Sequence, residues 1–308
     1  MSGDIIILTI LTIVGISTPI LLAALGELVV EKAGVLNLGV EGMMVMGAAC
    51  AFVATQMTGS PYVGILAGIA SGALFSLLFG FLTLTLVANQ VATGLALTIL
   101  GLGVSGMIGE AYVGQSGIKL SQIVFPVLSD IPFLGSLLFK QDLIFYLSIA
   151  VVAGVHWFLF RSRAGLKLRS VGDNHASAHA LGINVIRMRY LAVMFGGACA
   201  GLAGAQLSLV YTPQWVENMS AGRGWIALAL VVFASWRPWR VVAGGYLFGA
   251  VSISQLHAQA FGIGIPSQFL SALPYLATIF VLILISHNRR TTLINTPASL
   301  GKPFVPDR

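Results

Sequence analysis

The chain has 308 residues, 57% hydrophobic and only 8% charged, with a formal net charge of +6 and a mean hydropathy of +0.94. A soluble domain carries roughly 25% charged residues, so this chain cannot cover a water-facing surface and is read as an integral membrane protein. Its apolar runs are too long for the alternating strands of a barrel, which leaves an all-α polytopic fold with no room for a sizeable soluble domain. The basic balance is a matter of position, because Lys and Arg mark the cytoplasmic side of a membrane protein, and it gives little support to a nucleic-acid role.

Taken in order, the first predicted span covers residues 5–30, with Pro19 a kink and Glu27 near its inner end. No cleavable signal is expected, since Met1 to Asp4 lacks a basic stretch and the first apolar run is too long. The second span, 35–57, continues the stretch EKAGVLNLGVEGMMVMG, which holds Asn37 and Glu41 among Gly34, Gly39, Gly42 and Gly47. An ionisable group in hydrocarbon costs at least about 2.5 kcal/mol and faces protein or a wet cavity. A broken or re-entrant helix near 35–47 is therefore expected, lining a path as in many transporters. The plain alternative is a buried Glu41 that hydrogen-bonds a neighbouring helix. The third span, 62–88, carries Gly64, Gly68 and Gly72 every fourth residue, a smooth face for another helix. Asn89 and Gln90 form a polar step before the fourth span, 91–113; they either end a helix at the interface or line a path.

Residues 114–141 are a long connection with Pro126 and Pro132, followed by the fifth span, 142–160, whose His156 and Trp157 look interfacial. The loop 161–189 carries Arg161, Arg163, Lys167, Arg169, Arg187 and Arg189 against the single acid Asp173, which assigns it to the cytoplasm. Within it, Gly172 to Gly182 reads as a short helix with Asp173 as N-cap and Gly182 as its stop, running through Asn174, His175, Ala180 and Leu181. Such a helix either docks in a partner's groove or lies on the headgroups, its arginines on lipid phosphate. The sixth span, 190–213, sets Gly197 and Gly201 on one face; spans at 224–236, 239–257 and 269–286 complete about nine. Alternating outward from the basic loop puts Lys32, Arg237, Arg240, Arg289 and Arg290 inside, the N-terminus outside and the C-terminus inside.

No motif for covalent chemistry is present. Gly301-Lys302-Pro303 does not fit a phosphate-binding loop, His175 and His179 lack further metal ligands, and Cys50 and Cys199 read as packing residues. The chain is expected to be no enzyme and to bind no metal or cofactor. An ATP-driven process would need its ATPase on another chain.

Two stretches together, EKAGVLNLGVEGMMVMGA (31–48) and RSRAGLKLRSVGDNHASAHALGINV (161–185), resemble the permease subunits of ATP-binding-cassette (ABC) importers. With ANQVATGLAL (88–97), they are most similar to the nucleoside and simple-sugar branch, which is related to the branched-chain amino acid permeases. The resemblance runs from about residue 15 to 290. It implies a type II importer-like permease domain over 1–290, a cytoplasmic tail over 291–308, and a bacterial plasma (inner) membrane location. It also implies a second, different permease chain, an ATP-consuming subunit docked on the loop helix, and an extracytoplasmic binding protein that delivers substrate. The motif departs from the family at His175 and Ala176, where acidic residues are usual. Asn37, Glu41, Asn89 and Gln90 are the expected substrate-path residues. Two alternatives stand beside this reading: a branched-chain amino acid as cargo, or ion-coupled secondary transport through Glu41.

Overall fold

The structure is a computed structural model; it describes residues 2–126, 128–131, 134–260, 266–286 and 295–306. Arg289 and Arg290 lie outside the described residues. The architecture is helical. Helix α1 spans Ser2–Lys32, α2 Val40–Thr58, α3 Pro61–Gly80 and α4 Gln90–Gly109. A two-stranded antiparallel ribbon, β1 (Gln122–Val124) on β2 (Lys140–Asp142), brackets the short α5 (Leu134–Leu138). Then come α6 (Leu143–Arg161), α7 (Arg163–Asp173), α8 (His175–Ala180), α9 (Val185–Gln206), α10 (Arg223–Phe233), α11 (Pro238–Ala260) and α12 (Ser267–Ser286).

Among the described residues, seven helices are long and apolar enough to cross a membrane: Ile5–Lys32, Val40–Thr58, Pro61–Thr85, Gln90–Tyr112, Leu143–Arg161, Val185–Tyr211 and Pro238–Ala260. Helix α10 differs, with 11 residues. At 1.5 Å per residue it is about 16 Å long, roughly half of the 30 Å hydrocarbon layer. Both α3 and α9 loosen into a π-helical turn at their C-terminal ends, at Phe81–Thr85 and Leu207–Tyr211.

Several predicted boundaries shift for identifiable reasons. The first span continues past residue 30 to Lys32, and the sixth begins at Val185, drawing Arg187 and Arg189 into the helix. Asn184 makes that earlier start possible, its Oδ1 accepting from the Arg187 N–H at 2.9 Å. The break expected near 35–47 lies at 33–39 instead; from Val40 onward α2 is regular helix to Thr58. Gly42 and Gly47 therefore serve approach rather than breakage. A methyl group at Gly42 would stand 2.7 Å from the Leu97 carbonyl oxygen of α4.

The core is three helices meeting backbone to backbone. Helix α2 is buried along most of its length and packs on α3, α4 and α9. A methyl at Gly47 would lie 2.5 Å from the Gly201 Cα and carbonyl oxygen of α9. The face of α3 completes the contact: a methyl at Gly68 would lie 3.1 Å from the Gly47 carbonyl and 3.2 Å from that of Gly201, and one at Gly72 would run into Gly197 and Gly201. Gly64, one turn earlier, sits on Ala51 and Thr55 of α2. With no hydrophobic drive between helices in lipid, this kind of close packing supplies the association energy. Gly72→Leu is expected to destabilise the protein by at least about 1–3 kcal/mol through overpacking, read as a lower melting temperature in detergent. Gly103→Leu on α4, where an added methyl meets nothing within 4 Å, is expected to leave that temperature unchanged.

Candidate functional site

Residues 33–39 leave the helical ladder inside the protein, so their peptide groups need partners from elsewhere. Gly34 makes the turn at φ +83°. The Leu36 N–H donates to Gln90 Oε1 at 2.8 Å, and the Asn37 N–H donates to Glu27 Oε1 at 3.1 Å. Asn37 Oδ1 accepts from the Gly39 N–H at 2.9 Å, closing a local turn, while its Nδ2 faces the Met43 sulfur at 3.5 Å. The Leu38 carbonyl accepts from Thr98 Oγ1 at 3.1 Å. Asn37 and Gln90 are both buried, and both hold backbone. Among the described residues, the other Glu27 oxygen and the Gln90 amino group have no partner, so polar capacity remains beside the break. Asn89 is exposed and caps α4, its Oδ1 accepting from the Ala92 N–H at 3.0 Å.

Glu41 lies one residue into α2 and is 3% exposed. Its carboxylate faces a second irregular stretch, 212–222, that separates α9 from α10. Oε1 accepts from the Gly222 N–H at 2.7 Å and from the Ser220 hydroxyl; Oε2 accepts from the Gly224 N–H at 2.6 Å. Gly224 has to be glycine here, since a methyl would stand 2.6 Å from the Glu41 Cα. Arg223 steadies the same turn by donating to the Met219 and Ser220 carbonyls, each at 3.1 Å. Glu41 thus braces the start of the half-length helix. Beside this turn, Glu110, Glu217 and Asn218 line an open cleft of about 400 Å³ with Leu102, Gly103, Gly106 and Met107 of α4.

The basic loop folds as two helices, which corrects the single helix expected from Gly172. Asp173 is the last residue of α7, and the N-cap of α8 is Asn174, whose Oδ1 accepts from the Ser177 N–H at 3.0 Å. Gly182, at φ +80°, lies just past the end of α8. Leu181 beside it is 82% exposed. Gly172 packs without clearance on the Lys32 carbonyl at the end of α1. His175 approaches Arg189, with Nδ1 3.3 Å from a guanidinium nitrogen. Burial first, and then the Arg189 and Lys302 cations, push its imidazole below the ordinary histidine range, so that it stays neutral and can accept this bond.

Three features of this face escape sequence reasoning. Arg189 is 1% exposed; its Nε donates to the Ala33 carbonyl at 3.2 Å and another nitrogen to the Lys302 carbonyl at 3.1 Å. Within a run of six basic residues it carries no mark of its own: Arg187 falls beyond the same Asn184 cap and is exposed, whereas Arg189 is buried. Glu31 is buried and accepts from the Trp236 indole N–H, joining α1 to the end of α10. Residues 295–306 return to the base of α1, where the Asn295 carbonyl accepts from Lys32 Nζ at 2.6 Å.

Comparisons with known proteins bear on the whole chain. Residues 9–285 match the family described as branched-chain amino acid transport system/permease component. The chain is 42% identical over 288 residues to a Haloferax volcanii protein provisionally named a glucose ABC transporter permease, a match covering 86% of this chain and 88% of that one. It is 34% identical to the nucleoside ABC transporter permease protein NupC of Lactococcus lactis, over 87% of this chain and 89% of the relative. It is 32% identical to the guanosine ABC transporter permease protein NupQ of Bacillus subtilis, over 86% and 88%. With a helical membrane fold and a match over nearly its entire length, the chain belongs to the branched-chain amino acid transport system/permease component family and is an ABC importer permease subunit, not an enzyme.

Proposed function

We propose that this permease forms part of a path for a neutral nucleoside or simple sugar. An extracytoplasmic binding protein delivers the substrate, a second permease chain completes the pore, and a separate ABC ATPase consumes the ATP. The observation that carries the docking half of this reading is α8: a capped helix on the basic face that ends in Leu181, 82% exposed. An apolar side chain presented so fully beside polar residues suits the groove of a partner protein. On this reading, Gly172, Asp173, Asn174, His175, Ala180, Leu181 and Gly182 form the docking element, and the face they share with residues 295–306 is cytoplasmic. The seven long helices, the half-length α10 and the apolar α12 then make nine membrane elements.

Substrate identity follows the relatives, whose names specify glucose, nucleosides and guanosine. We place Asn37, Glu41, Asn89 and Gln90 along the path as residues that hold its walls, since three of them support irregular backbone and Asn89 caps α4. Glu110, Glu217 and Asn218 supply hydroxyl-binding groups at its outer mouth. A coupling carboxylate for ion-driven transport would need to be free to exchange a proton. Glu41, with three donors on it, is poorly suited to that.

Three outcomes are expected. Uptake of labelled nucleosides and sugars by cells expressing the whole importer should be lost when the Walker lysine of its ATPase is replaced; uptake that persists would overturn ATP-driven transport. Leu181→Asp should weaken ATPase association about tenfold or more, the equivalent of roughly 1.4 kcal/mol at an interface anchor, measured by co-purification, with the permease melting temperature unchanged. Glu41→Ala would strand buried donors at about 1–3 kcal/mol each; it should lower the melting temperature and abolish uptake, while Glu41→Gln, which keeps one acceptor oxygen, should retain part of both.

A further inference from the structure

The C-terminal segment runs between two elements that are far apart in sequence. On one side it meets the break after α1: the Gly301 N–H donates to the Gly34 carbonyl at 3.2 Å, and Lys32 Nζ donates to the Asn295 carbonyl. On the other it meets the junction of α7 and α8: the Ser299 N–H donates to the Gly172 carbonyl at 2.8 Å, and Ser299 Oγ to the Asp173 carbonyl at 3.2 Å. Arg189 ties the same three strands of chain together, reaching Ala33, Lys302 and His175.

Beyond these bonds, Phe304 closes a small apolar cluster under α8. Its ring lies 5.2 Å from that of His175 and 5.3 Å from that of His179, and it packs with Val171, Ala178, Ile183 and Val185. A groove of about 390 Å³ between His179 and Pro306 opens to solvent next to it. The tail is therefore built into the base of the docking helix rather than trailing from the last span.

We propose that residues 299–304 are a transmission strap, with Phe304 a positioning residue for α8, carrying displacement of the docking helix directly to the break at 33–39. The physical argument is one of stiffness. Asn174, at φ −149° and ψ 95°, interrupts the helical path between α7 and α8, so the chain itself is a poor lever there. The strap spans that interruption, with Phe304 packed on His175, His179 and Ala178 of α8 and with Ser299 and Gly301 hydrogen-bonded to Gly172 of α7 and to Gly34, and Gly34 belongs to the segment whose Leu36 and Asn37 N–H groups donate to Gln90 and Glu27. Moving α8 without moving the base of α1 would require the Phe304 packing or the hydrogen bonds at Ser299 and Gly301 to give.

The inference rests on α8 being the site of ATPase docking, and the test separates the two. The complete importer is reconstituted in proteoliposomes with its binding protein, and ATP hydrolysis, uptake and ATPase co-purification are measured for Phe304→Ala, Phe304→Leu, a truncation after Gly301, and His179→Pro. Phe304→Ala and the truncation should retain the ATPase and hydrolyse ATP within twofold of the parent, while uptake per ATP falls at least fivefold. Phe304→Leu, which refills the cluster, should restore uptake per ATP. Uptake per ATP within twofold of the parent in both defective variants overturns the strap. Loss of the ATPase from Phe304→Ala overturns it as well, by making the tail a docking contact. Normal association and coupling in His179→Pro, which breaks α8, overturns the docking reading itself.

Discussion

A peptide group inside a membrane protein must find a hydrogen-bond partner within the protein, because hydrocarbon supplies none. In this fold that constraint falls on 33–39, where the chain leaves helical geometry among buried neighbours, and on the buried part of the half-exposed stretch 212–222. The buried polar side chains follow from it. Gln90, Glu27, Thr98 and Arg189 serve the first stretch, and Glu41 with Arg223 serves the second. These side chains spend most of their polar groups on backbone, with the second Glu27 oxygen and the Gln90 amino group left over among the described residues.

The glycine contacts set the opposite limit. Where α2, α3 and α9 touch through Gly47, Gly68, Gly72 and Gly201, there is no side chain to change rotamer and no slack to absorb a shift. Regular helix gives way at the edges: at the π-helical ends of α3 and α9 and at the interruption at Asn174. The two kinds of backbone irregularity thus surround a stiff centre.

Much of this was legible in the chain itself. Composition alone specified a polytopic helical membrane protein, and the spacing of Gly64, Gly68 and Gly72 marked a smooth face for another helix, which in the structure packs on both α2 and α9. The position of the break was read late because Asn37 and Glu41 both stand within an apolar run; nothing local distinguishes Asn37, which closes a turn, from Glu41, which sits in regular helix and acts across the protein on Gly224. Asp173 and Asn174 are both good caps, and only the tertiary contact of Gly172 with Lys32 extends α7 far enough to make Asn174 the one used. Arg189 and the tail were illegible for the same reason. Their partners are main-chain carbonyls, which carry no sequence signature.

The short helix α10 has an electrostatic consequence. A helix N-terminus presents unpaired N–H groups equivalent to about half a positive charge, and half-helices in transporters commonly aim that end at an anionic group of the substrate. Here Glu41 already occupies it, so the positive end is cancelled by a resident carboxylate. A phosphate or carboxylate arriving at this turn would meet like charge rather than open donors. The N–H groups at the start of α10 are thereby spent on an acceptor within the chain itself.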